Sequence, residues 1–261
     1  MNMLFEVYGF FIIFGGIGAE RLFQSAVSKQ SSDHENARAP FAVVELFTSE
    51  GCSSCPPAEK YLNELVTEAR EQNQRIYPLA FHVDYWNHLG WKDEYSDTRF
   101  SERQRDYARR ADAGRIYTPQ MIVNGEVAFV GSDRQQGEAI IAQALQRAAV
   151  CVLTLQAQGD EQNGNITVAF QISPVPGQGV LQVALIERGL LREIRSGENS
   201  GRVLHHDNVV RAFETVELRN LSQGELVLRI PATLVLANSA VIAYVQDSTT
   251  NRILDATQVE F

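Results

Sequence analysis

Phe41-Ala42-Val43-Val44-Glu45-Leu46-Phe47, then Thr48-Ser49-Glu50-Gly51, then Cys52-Ser53-Ser54-Cys55 is the stretch that decides how this chain is read. The first run predicts a buried strand and the second breaks it. A helical pattern follows the cysteines at once, because Ala58, Tyr61, Leu62, Leu65, Val66 and Ala69 recur at the spacing of one amphipathic face. Two thiols at a strand-to-helix turn place the first sulfur at a helix N-terminus. Unpaired N–H groups and the positive dipole end there favour a thiolate. The second sulfur, in the first turn, is near enough to attack a mixed disulfide. Pro56 and Pro57 fit the same first turn, where no intrahelical donor is needed.

Three readings of the pair stand together: a redox dithiol, half of a zinc or copper site, and a structural disulfide. Zinc usually takes a second ligand pair, and the sequence has no second C-x-x-C. A structural disulfide closing so short a loop constrains the unfolded chain little.

The chain has 261 residues, 44% of them hydrophobic and 21% charged, which suits a soluble protein with one large or two modest cores. A net charge of −9 argues against nucleic acid as a partner. Arg99, Arg103, Arg105, Arg109 and Arg110 alternate with Glu102, Asp106 and Asp112, which reads as a solvated helix face. Three cysteines are too few for a disulfide scaffold, and Cys151 reads as a small buried hydrophobe or a third redox partner.

The uncharged run Val7–Ala19, 13 residues long, suits the apolar region of a signal peptide and is short for a membrane span. Residues 1–26 are therefore expected to be a signal peptide or an N-terminal anchor, and residues 27–40 a polar linker. The expected location is periplasmic or secreted, with membrane contact only through residues 1–26 if they are retained.

Further along, Arg75–Asp84 predicts a second buried strand, which a helical crossover would make parallel to the first. A helix is expected around residues 99–111. Asn124-Gly125 between apolar runs predicts a two-residue hairpin, and Ser132 with Gln135 resembles a helix-capping pair ahead of Ile140, Ile141, Ala144, Leu145 and Ala148. Beyond residue 150 the pattern becomes one of short alternating strands, as in Ile166, Val168, Phe170 and Ile172.

Over residues 41–149 the order strand, C-x-x-C, helix, strand, Thr-Pro, hairpin and helix resembles the thioredoxin fold. Val44–Ala58, His82–Trp91 and Tyr117–Gln120 look like the signature of a bacterial and plant family of secreted proteins described as a thioredoxin-like domain of unknown function. The expected fold class is therefore an α/β thioredoxin-like domain, a central mixed sheet flanked by helices, over 41–149. An all-β, sandwich-like C-terminal domain is expected over 150–261. The resemblance implies Cys52 as attacking thiol, Cys55 as resolving thiol, Pro119 as a cis-proline beside them, and Thr118 as a backbone partner for a bound peptide. It implies protein or peptide thiols and disulfides as partners, an unidentified redox partner, and no cofactor beyond the Cys52–Cys55 disulfide itself. Ser53-Ser54 between the cysteines, and Gly51 where thioredoxins place Trp, leave reductant, oxidant and isomerase roles open.

Other residues carry weaker signals. Glu45 interrupts an apolar strand and is a candidate proton acceptor for Cys55. Glu50 is expected to point to water. His82, Asp84 and His88 form the one non-cysteine cluster with metal-ligand chemistry, and His82 with Cys52 and Cys55 is the alternative metal set. Tyr85, Trp86 and Trp91, with Leu89, are candidates for an apolar lip that holds substrate. His205-His206-Asp207 lies in a turn-like stretch, joined by the sequence to no other site.

Overall fold

β1, Ala42–Thr48, forms where the apolar run predicts it, and every one of its residues is buried. The protein is described as a computed structural model of residues 38–261, so the expected signal segment and most of the linker lie outside the described residues. β1 alternates between two cores. Val43 and Phe47 pack with Phe81 and Tyr107 on one face, and Val44 and Leu46 pack with Leu62 and Ile141 on the other. Helix α1, Pro56–Glu71, buries all six of its predicted apolar positions against the second face. A fully buried leucine such as Leu62 contributes about 1.5–3 kcal/mol there.

β2, Ile76–His82, runs parallel to β1 in a register that pairs Thr48 with His82. β3, Gln120–Val123, is antiparallel to β1, with Phe47 opposite Gln120, and β4, Val127–Val130, returns beside it. Asn124 and Gly125 both have positive φ, as the hairpin turn requires, and a Cβ on Gly125 would run into the Asn251 carbonyl. Helix α2, Thr98–Arg110, covers the first face, and α3, Arg134–Ala144, covers the second. The cap of α3 is Asp133, which accepts from the Gln136 N–H, rather than Ser132.

The expected fold class is overturned. The described residues hold thirteen strands and three α-helices, and the main sheet is eight-stranded and mixed, in the order β13-β12-β7-β10-β2-β1-β3-β4. Its added strands are β7 (Gly179–Glu187), β10 (Val209–Glu217), β12 (Ser239–Asp247) and β13 (Ile253–Glu260). A helix-flanked thioredoxin-like unit with a separate sandwich behind it is therefore not what the chain builds.

The cause lies at the free edge of β2. The Ala80 N–H donates to the Asn208 carbonyl, Val209 pairs with Ala80, and the Asn208 side chain donates to the Pro78 carbonyl. A strand with every residue buried has no reason to remain an edge, since its unpaired backbone groups need partners. A second sheet of β11 (Gln223–Arg229), β6 (Asn165–Ser173) and β5 (Val152–Asp160) packs through Ile166, Val168 and Phe170 onto Leu181, Val183 and Leu185. The short hairpin of β8 (Leu190–Glu193) and β9 (Val203–His206) stands apart as its own two-stranded sheet. No described helix is long and apolar enough to cross a membrane.

Candidate functional site

The turn after β1 carries the cysteines into a disulfide, with Cα atoms 5.4 Å apart. The Cys52 N–H donates to the Ser49 carbonyl and the Cys55 N–H to the Cys52 carbonyl, so the loop is tightly wound. Cys55 is the N-cap residue of α1, with proline at the first two helical positions. Cys52 therefore sits one turn before the helix and Cys55 at its start.

The register of β1 with β3 carries Pro119 and Thr118 past the end of β1, to where the chain turns toward Cys52. The Thr118–Pro119 bond is cis. The Thr118 hydroxyl donates to Cys52 Sγ over 3.2 Å and accepts from the Trp86 indole N–H over 2.9 Å. Ser54 Oγ lies 3.4 Å from the same sulfur and, facing a disulfide, must be the donor. Both hydroxyls would solvate a negative charge on Cys52.

The cysteines are not open to solvent. Cys52 and Cys55 are each 0% exposed, while Ser53 and Ser54 between them are exposed. The β8–β9 loop is tied to this turn, since Asn199 Nδ2 donates to the Glu50 and Cys52 carbonyls and the Ser53 N–H donates to Glu198. An incoming sulfur has no direct path to Cys52 in this conformation.

Beneath the turn lies a group of buried acids and histidines. Paired residues of parallel strands share a face, so Thr48 and His82 both point toward α1. Thr48 Oγ1 donates to Glu59 Oε1 over 2.6 Å. His206, at the end of β9, brings Nδ1 to 2.9 Å from Glu59 and Nε2 to 3.4 Å from Glu50. His82 Nδ1 is 2.7 Å from Asp93 Oδ2, an atom that also accepts the Glu50 N–H. Glu50 further accepts from the Trp91 indole and the Arg192 guanidinium. Glu50 is therefore fully buried and does not point to water.

Charge sets the protonation here. Burial opposes the charged form of Glu59, but His206 beside it wins and lowers its pKa. Burial likewise opposes His206 as a cation, yet Glu59 and Glu50 raise its pKa to about 10. Asp93 is held low by His82 against the same burial penalty.

Glu45 is placed elsewhere. It faces α2, where it accepts from Arg103 over 2.8 Å, from Tyr244 over 2.9 Å, and from Tyr107, and it makes no hydrogen bond to either cysteine. Arg103 thus leaves the predicted solvated face of its helix to pair with a buried acid. Asp84 accepts from Ser101 and Thr98 at the start of α2, and His88 is exposed, so neither joins His82. Tyr85 donates to Gln104, Trp86 to Thr118 and Trp91 to Glu50, so each of these aromatics is anchored by its polar atom. The alternative metal set of Cys52, Cys55 and His82 is not assembled, since the sulfurs are bonded to each other.

The comparisons with known proteins leave the chemistry open. Residues 43–246 match the family described as "Protein of unknown function (DUF1223)". The X-ray structure of a protein from Agrobacterium tumefaciens is 24% identical with a TM-score of 0.59, covering 85% of this chain and 95% of that one. That likeness is one of fold. The crystal structure of a domain of the outer membrane lipoprotein Omp28 from Porphyromonas gingivalis is 17% identical with a TM-score of 0.28, covering 43% of this chain and 88% of that one. No curated protein matches.

Proposed function

We propose that this chain, which belongs to the DUF1223 family of proteins of unknown function, is an extracytoplasmic thiol–disulfide exchange protein acting on protein or peptide thiols and disulfides. The observation that carries the reading is the Thr118 hydroxyl on Cys52 Sγ, opposite a partner sulfur at the N-terminus of α1. A hydrogen bond to the charged form lowers a thiol pKa, and the lower-pKa thiol of such a pair is the attacking one. The resemblance that supports this reading is one of short sequence motifs, Cys52-Ser53-Ser54-Cys55 and Thr118-Pro119, and not of fold. The apolar run Val7–Ala19 and the intact disulfide favour a periplasmic or secreted location.

In the reducing direction the Cys52 thiolate attacks one sulfur of a partner disulfide. The partner's other sulfur leaves as a thiolate and takes a proton. Cys55, deprotonated, then attacks Cys52 Sγ, the Cys52–Cys55 bond forms, and the second partner sulfur leaves. Two electrons pass from the pair to the partner, and the reverse sequence oxidises a partner dithiol. Either direction requires the Asn199 and Glu198 contacts to open first.

The complete burial of both cysteines favours a second reading, in which the disulfide clips β1 to α1 and has no client. Alkylation of the reduced protein at pH 7, followed by mass spectrometry, separates the two. Exchange chemistry predicts Cys52 modified at least tenfold faster than Cys55. Equal and slow modification of both supports the clip.

A further inference from the structure

We propose that Glu59, His82 and His206 form a binding site for a divalent first-row metal ion, of which zinc is the best fit. The inference goes beyond the exchange reading and needs neither Cys52 nor Cys55.

One donor atom from each of the three residues lies within 4.8 Å of the others. Tetrahedral donors at ~2.1 Å from an ion sit ~3.4 Å apart, so the longest side of this triangle would close by at most roughly 1.4 Å. All three residues are buried, with His82 at 0% exposure. Among the described residues His82 Nε2 has no hydrogen-bond partner, and neither ring nitrogen of His206 meets hydrogen-bond geometry despite the nearby carboxylates. A buried ring nitrogen such as His82 Nε2 is rarely left so, because it has given up water and gained nothing. A metal ion supplies what it lacks.

The surrounding groups are those that orient metal ligands. Asp93 Oδ2 holds His82 Nδ1 at 2.7 Å, leaving Nε2 as the free donor. Thr48 Oγ1 holds Glu59 Oε1, leaving Oε2 free on the side of His206. Glu50, Glu59 and Asp93 place three buried carboxylates beside the two histidines, with Arg192 reaching Glu50. Two imidazoles and a carboxylate, with no thiolate among them, suit zinc better than copper(I) or a larger oxygen-seeking ion. Three protein ligands leave a fourth position, and Glu50 Oε1 lies 3.4 Å from His206 Nε2.

The test is titration of the chelator-treated full chain with zinc chloride by calorimetry, alongside its thermal midpoint. One equivalent is expected to bind and to raise the midpoint, since an ion that binds only the folded state stabilises it. His82→Ala and His206→Ala should each weaken binding at least 100-fold. The double variant Cys52→Ser, Cys55→Ser should change it less than threefold. If the histidine variants do not fold, Asp93→Asn serves in their place, and loss of an outer partner predicts roughly 10–100-fold weaker binding. No zinc binding by the wild-type chain overturns the proposal. So does binding that survives the histidine or Asp93 substitutions, or binding lost in the cysteine variant.

Discussion

Thr118 Oγ1 donates to Cys52 Sγ over 3.2 Å while accepting the Trp86 indole N–H, so one hydroxyl links three segments of chain that converge on a single sulfur. The β1–β3 register delivers Thr118, and the loop after β2 delivers Trp86. A Cβ on Gly51 would come to 3.2 Å from the Trp86 Cβ, so the glycine that stands here lets the tryptophan close over the turn.

Thr118→Val removes the donor from Cys52. A hydrogen bond to a charged group is worth about 1.5–3 kcal/mol, or roughly one to two pKa units. The apparent pKa of Cys52 in the reduced protein is expected to rise by about one unit or more, read from the pH dependence of its alkylation. An unchanged pKa removes Thr118 from the chemistry.

Asn199→Ala frees the Glu50 and Cys52 carbonyls from the β8–β9 loop. Reduction of the disulfide by dithiothreitol in the folded protein should accelerate at least tenfold. An unchanged rate means that other contacts control access.

Arg103→Met leaves Glu45 buried without its cation. Breaking a buried pair on one side costs about 3–5 kcal/mol, to be read by urea unfolding. Because Glu45 touches neither cysteine, the pH profile of exchange in any variant that folds should match that of the wild type.

Cys151 is buried, and burial, with Asp255 nearby, raises its pKa to about 12. It should resist iodoacetamide at pH 8 until the protein unfolds. Between its ordinary value of 9.0 and about 12, the folded chain keeps a proton that the unfolded chain has lost. Its contribution to stability is therefore complete below that window and declines as pH rises through it. Cys151→Ala should flatten the decline, seen as a smaller loss of thermal midpoint between pH 9 and 10.5.

Local signals made the first half of the site legible. The apolar period placed α1, the Asn124-Gly125 pair placed the hairpin, and the cysteine spacing placed the two sulfurs within reach of each other. What escaped was joined only in three dimensions. Glu59 falls at i, i+3 and i+7 with Leu62 and Val66, an acid on an apolar face, which marks it as a buried carboxylate. Leu204 and His206 alternate with exposed Val203 and His205, the mark of a buried histidine on a strand face. No period tells which distant element will cover them. The same limit explains β10 beside β2, because an apolar run shows which faces are buried and is silent about the partner at its edge.

The exchange reading meets its most direct test in the Cys55→Ser variant, expressed where the chain is exported and isolated after acid quenching. With no resolving thiol, Cys52 should accumulate mixed disulfides that release discrete partner proteins on reduction, and Cys52→Ser should release none. Recovery of no Cys52-dependent partner, from cells in which loss of the protein has a measurable effect, would contradict the account.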